Sequence, residues 1–313
     1  MTPAAHALLD GLIDYAGLFP PAALALDASA DAYAGHRRSP DAWMLGRFIV
    51  PAGRLGELAD HVDEGPWPLS VLGLPDEGDG WLETARRTLD AAREVEKVHP
   101  DRVRADRFEL KVPAEIARDA DALAGMLGDL DAALLNGGAT GPRAALEVPF
   151  LDAPDAVAPA AQAVVDANGR AERPAFALKL RCGGVTPDLV PDVETLARAL
   201  SEAVRAGAPF KATAGLHHPL PNDDEAVGAR MHGFLGVFGG AALARLHGLR
   251  PDDWAEILAD DDPGSWSVED GLRWRSLRAT AAEVADARTQ SALSFGSCSF
   301  DEPLDDLRAL GWL

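Results

Sequence analysis

The chain has 313 residues, 47% of them apolar, with 50 acidic against 29 basic side chains and a net charge of −21 at pH 7. This length buries a large core, in one long domain or two short ones. The acidity argues against non-specific nucleic-acid binding, which needs clustered basic residues to release counterions, and equally against docking on an anionic membrane surface.

In chain order, Leu12 to Phe19 reads as a short strand ended by Pro20-Pro21, and a helix is predicted over about Ala28 to His36 with Asp27 or Ser29 as its cap. GRFIVPA at Gly46–Ala52 is a second strand, followed by a helix over Arg54 to Val62. SVLGL at Ser70–Leu74 is a buried-type third strand, and the loop PDEGDG leads into a long amphipathic helix near Trp81 to Val98. FELKV at Phe108–Val112 is the fourth strand, before helical sequence from Pro113 towards Leu135, and AALEVPF at Ala144–Phe150 is the fifth, before a helix near Ala153 to Ala167. AFALKLRCGGV and PFKATAGLHHP supply strands six and seven, with a helix over Val193 to Ala206 between them.

An insertion over about 220–278 follows. Asp223 to Leu246 is expected to be helical, Pro251 to Leu258 is a second helix with Pro in its first turn, and Ser265 to Trp274 alternates around Asp270-Gly271 as a hairpin. A helix near Thr280 to Arg288, an eighth strand over Leu293 to Ser297 and a closing helix over Pro303 to Leu310 complete the chain. Eight strands alternating with helices predict a single (β/α)8 TIM-type barrel, with an open doubly wound sheet as the alternative. Charged residues on the inner parity of several strands favour the barrel, because an open sheet packed on both faces could not solvate them.

Two cysteines, Cys182 and Cys298, cannot build a disulfide framework. No run of 18 apolar residues exists, and Asp10 and Asp14 interrupt the apolar residues of an N-terminus that lacks a basic region, so the expected location is cytoplasmic. The chain contains no GxSxG elbow, no phosphate-loop signature and no HExxH helix.

What it does contain is a ring. Glu109 and Lys111 share a face of strand four, Glu147 lies on strand five, Lys179 and Arg181 on six, Lys211 and Thr213 on seven, and Asp14 enters from strand one. Only four of the 29 basic residues are lysine, and three of the four fall in predicted strands. Arginine stays charged, whereas a lysine among other cations in a partly dry pocket loses its proton more readily and attacks carbonyls. A carboxylate beside it then moves protons through carbinolamine formation and carbon–carbon cleavage. The competing reading is an interior salt-bridge network of Glu with Lys.

LKLRCGG on strand six and FKATAG on strand seven resemble the paired lysine strands of deoxyribose-phosphate aldolases, which read like IKTSTG and VKASGG at a similar separation. The resemblance implies Lys179 as the Schiff-base former and Lys211 as the neighbour that lowers its pKa. The wider class I aldolase pattern of Asp on strand one, Lys on four, Glu on five and Lys on six is similar too, and implies roles for Asp14, Lys111, Glu147 and Lys179. Leu180-Arg181-Cys182 departs from the small hydroxyl residues of that pattern, and the double histidine has no counterpart in it.

His217 and His218 follow strand seven, and because adjacent residues of an extended chain point apart, one of them at most should face the pocket, as proton shuttle or metal ligand. Gly296, Ser297 and Ser299 lie where barrels bind phosphate after strand eight, although Asp301 and Glu302 at the next helix would repel an anion there. The function expected is therefore a metal-independent carbon–carbon lyase acting on a small oxygenated carbonyl compound of the carbohydrate type, with Arg181, Thr213, His218 and the Gly296–Ser299 segment binding substrate. No cofactor is expected. The partner is a small molecule, with no nucleic acid and no membrane, and a homo-oligomer is left open. The alternatives are a metal-assisted isomerase or hydrolase using the double histidine with Glu147, and a non-catalytic barrel that binds a small anion through Arg181 and the Ser297 loop.

Overall fold

In a computed structural model that describes residues 1–74, 80–136 and 141–313, eight parallel strands close into a barrel. They are β1 (Ile13–Tyr15), β2 (Leu45–Pro51), β3 (Trp67–Leu72), β4 (Val103–Lys111), β5 (Arg143–Glu147), β6 (Phe176–Arg181), β7 (Phe210–Thr213) and β8 (Ala292–Ser297). β1 pairs with β2 on one side and β8 on the other, which closes the ring and rules out the open sheet. A helix follows each strand in turn, and the (β/α)8 architecture is the one expected.

Strand parity separates two interiors. Leu178, Leu180, Phe210, Ala212 and Phe295 are fully buried and face the helices, where Phe210 and Phe295 meet Phe238 at ring-centroid distances of 6.0 and 5.7 Å. The alternate residues point into the barrel, and there the side chains are charged. Helix limits follow from caps. Asp192 accepts the Thr195 N–H at 2.6 Å to start Val193–Ala206, and Gly207, at φ +79°, ends it. The amphipathic helix Trp81–Val98 lies where its periodicity places it, while the loop predicted before it, residues 75–79, lies outside the described residues.

Three expectations change. A helix over Pro3–Leu9, capped by the Thr2 hydroxyl, precedes a first strand of only three residues. Asp223 to Leu246 is not one helix: Asn222–Asp224 and Ala229–Met231 pair as an antiparallel hairpin, and helical backbone begins only at Leu235. Gly228, at φ +72°, supplies the turn that a continuous helix forbids. The hairpin at Ser265–Trp274 gains a third strand, giving a sheet of Trp266–Ser267, Leu272–Trp274 and Leu277–Ala279. Among the described residues no helix is long and apolar enough to cross a membrane.

Candidate active site

Register brings the charged residues together. Lys111 pairs across the sheet with Glu147, Glu147 with Lys179, and Lys179 with Lys211, so a belt of three lysines and one glutamate runs along β4 to β7 at one height. Asp14 on β1 enters from the other side, opposite Gly296 of β8. Gly46 makes room for it: a Cβ at that position would stand 2.3 Å from Asp14 Oδ1.

Both lysines point inward and clasp one carboxylate. Lys179 Nζ lies 2.9 Å from Glu109 Oε2 and 2.7 Å from Glu147 Oε2, while Lys211 Nζ lies 2.6 Å from Glu109 Oε1 and donates to Asp14 Oδ2 at 2.5 Å. The two ammonium groups are therefore a single carboxylate apart. Residues outside the expected ring complete it. Ser70 donates to Glu109 Oε1 at 2.6 Å, Ser294 donates to Asp14 Oδ2 at 2.8 Å, Arg107 donates to the Ser294 hydroxyl at 2.9 Å, and the Arg47 N–H donates to Asp14 Oδ1 at 2.8 Å. Arg107 carried a visible signal, since Arg107, Glu109 and Lys111 alternate on one strand face. Ser70 and Ser294 carried none beyond parity.

The protonation states follow from this wiring. Burial opposes the charged form of Asp14, Glu109 and Glu147, yet the facing cations prevail and hold all three carboxyls below their usual range. Burial likewise disfavours the Lys179 ammonium, but Glu109 and Glu147 outweigh it and raise its pKa. This corrects the expectation that neighbouring cations would leave Lys179 a free amine at rest: it contacts carboxylates directly, and Lys211 is separated from it by Glu109. Burial pushes the Cys182 thiol up to about 12 and raises that of Cys298, so neither is an activated thiolate.

Above the ring, at the C-terminal ends of the strands, opens a cavity of about 740 Å³. Glu109, Glu147 and Lys179 border it, whereas Lys211 and Asp14, both 0% exposed, lie beneath it. Lys111, Arg181, Thr213 and Gly296 also border it, and Arg181 Nη2 stands 3.5 Å from Glu147 Oε1. The hairpin at 222–231 forms part of the rim through Val227 and Met231, a contribution hidden by the helical reading of that stretch.

Both histidines border the cavity, not one alone, because Ala214 and Gly215, at φ +63° and +74°, turn the chain out of extended geometry before it reaches them. Their rings are fastened to the last helix, His217 Nδ1 to Glu302 Oε2 at 3.0 Å and His218 Nδ1 to Asp306 Oδ2 at 2.6 Å. Among the described residues no group of three His, Cys, Asp or Glu is placed to hold a metal ion, which leaves the double-histidine metal alternative without a ligand set. Ser297 does not line the cavity: it falls on the outer parity, where its hydroxyl accepts the Ser299 N–H at 3.3 Å. Ser299 does border the cavity, but its hydroxyl accepts the Glu302 N–H at 3.2 Å and so serves the start of the last helix.

No protein-family model matches the chain, and no curated protein matches it. Among solved structures the fold is similar to that of the tetrameric deoxyribose phosphate aldolase from Aeropyrum pernix, with a TM-score of 0.50 and 13% identity over 99% of this chain and 98% of that one. At that identity the likeness is one of fold.

Proposed function

We propose that the protein is a carbon–carbon lyase of the class I type, which forms a Schiff base at Lys179 with a small oxygenated carbonyl compound. One observation carries this reading: of two lysines wired to a common carboxylate, Lys179 borders the cavity and Lys211 does not. A carbonyl can reach the first and has no path to the second.

Lys179 rests as an ammonium, so the reaction begins with proton transfer to a carboxylate, and Glu147 is the better acceptor. It lies 2.7 Å away and reaches the cavity, whereas Glu109 is committed to Lys211 and Ser70. The freed amine adds to the carbonyl carbon to give a carbinolamine. Glu147 returns its proton to the hydroxyl, which leaves as water, and an iminium forms. Glu109 remains ionised and stabilises that cation. When a base removes the proton of a β-hydroxyl, the carbon–carbon pair flows into the iminium, an aldehyde departs, and the enamine takes a proton at carbon before water releases the second product. Lys211 balances the charge of Asp14 and Glu109 from below.

The test is retro-aldol turnover over a panel of β-hydroxy aldehydes and ketones, read by coupled detection of the released aldehyde. Turnover that survives exhaustive chelation and is lost in Lys179→Met supports the reading. Turnover abolished by chelation and restored by zinc or manganese would replace it with metal-assisted chemistry.

A further inference from the structure

A second cavity, of about 370 Å³, lies at the opposite end of the barrel, where β5 and β6 begin and β7 is entered. Arg107, Arg143 and Arg173 line it, and among the described residues no Asp or Glu does. In a chain with 50 acidic and 29 basic residues, a wall of three guanidinium groups without a carboxylate runs against composition.

The surroundings leave these cations under-compensated. Arg107 is 3% exposed, with Asp14 at 3.7 Å, but that carboxylate is already bonded to Lys211. Arg173 is tied to Asp131 and to the Gly141 and Pro142 carbonyls, yet its Nε is buried with no hydrogen-bond partner, while the nearby Arg47 faces Asp106 at 3.9 Å and Asp14 at 3.8 Å. The Arg143 guanidinium has no hydrogen bond or ion pair among the described residues. Burial and Arg47 push the Arg107 pKa down to about 10. Asp106, the nearby carboxylate, is bonded to Arg104 at 2.6 Å. Like charges gathered around a hollow in this way cost free energy until an anion enters it.

We propose that this cavity at the N-terminal end of the barrel binds a phosphoryl dianion, as free phosphate or as the phosphoryl group of a small metabolite, through Arg107, Arg143 and Arg173. Two charges and three terminal oxygens let one phosphoryl group meet several planar guanidinium forks and neutralise more of their charge than a single carboxylate does. The site is separate from the lysine cavity and stands whether or not the lyase reading does. It shares one residue with the ring, since Arg107 also reaches Ser294 and, through it, Asp14.

The experiment is calorimetric titration of the full chain with inorganic phosphate at low ionic strength, beside glycerol phosphate and succinate. The wild type should show one saturable phosphate site. Arg143 is exposed and structurally idle, so Arg143→Ala should fold with an unchanged circular-dichroism spectrum and bind phosphate at least about tenfold more weakly. Arg143→Lys should fall between the two, since it keeps the charge and loses the fork. Lys111→Ala and Arg181→Ala, at the other end of the barrel, should leave phosphate affinity unchanged. Tighter binding of glycerol phosphate points to a metabolite, and tighter binding of inorganic phosphate to the free ion. No saturable binding by the wild type, succinate binding as tightly as phosphate, or affinity that depends on Lys111 or Arg181 and not on Arg143 would each overturn the proposal.

Discussion

Lys211 and Lys179 carry the same ammonium into unequal surroundings. Lys211 is 0% exposed and neutralises Asp14, itself 0% exposed, together with Glu109. Lys211→Met strands those charges out of water, a loss of about 3–5 kcal/mol for breaking a buried pair. Lys179→Met should cost less, because Glu109 keeps Lys211 and Glu147 keeps Arg181 and borders the cavity. Thermal melts at neutral pH should therefore rank Lys211→Met below Lys179→Met. The pH dependence has a definite sign. In the wild type the depressed carboxyls contribute stability that is present above about pH 4, the ordinary carboxylate range, and is lost as pH falls below it. In Lys211→Met the stranded carboxyls are relieved by protonation, so its deficit relative to the wild type should shrink between pH 7 and pH 4. Glu147→Gln acts on the other lysine. It removes one of the two charges that raise the Lys179 pKa, so the free amine should form at lower pH, and the pH profile of imine formation should shift to the acid side. An unshifted profile would mean that Glu147 does not hold the Lys179 proton.

At the scale of elements, the turn after β7 sets the rim of the cavity. Gly215 sits at φ +74°, and a Cβ there would stand 2.6 Å from Met231 Cε and 3.0 Å from Gly183 Cα. Gly215→Ala should cost about 1–3 kcal/mol from the left-handed backbone and displace the Met231 side chain at the rim, lowering the melting temperature and weakening substrate binding together. A variant as stable as the wild type would show that the turn is not strained. The same glycine logic explains what was legible here. Asp270-Gly271 between alternating residues announces its hairpin, and Gly271, at φ +110°, performs the turn. Gly228 performs the same turn, but it sits among Ala, Val, Met and Leu spaced as on a helix, so local periodicity pointed the wrong way. The helices Trp81–Val98 and Val193–Ala206 were legible to the residue because amphipathic period and flanking sequence agreed.

Across the whole molecule, closure of the barrel decides which charges meet. The inward charges of β4 to β7 could be read from parity, since Glu109, Lys111, Lys179 and Lys211 interrupt runs that are otherwise apolar. Ser294 could not, because its partnership with Asp14 exists only once β8 returns to β1, and Ser70 and the Arg47 N–H could not, because a small hydroxyl and a backbone donor give no sign of the carboxylate on the neighbouring strand that they serve. Nor could the balance of charge on Lys179 be read, because a strand-by-strand list does not reveal that Glu109 stands between the two lysines. The central claim is that this lysine, held as an ammonium between two carboxylates, is the nucleophile. Borohydride reduction in the presence of small aldehydes and ketones, followed by peptide mass mapping, tests it directly. The adduct should lie on Lys179, increase as pH rises and the amine is freed, and vanish in Lys179→Arg while persisting in Lys211→Arg. An adduct on Lys211, or none on any lysine under conditions that trap a known class I aldolase, would contradict the claim.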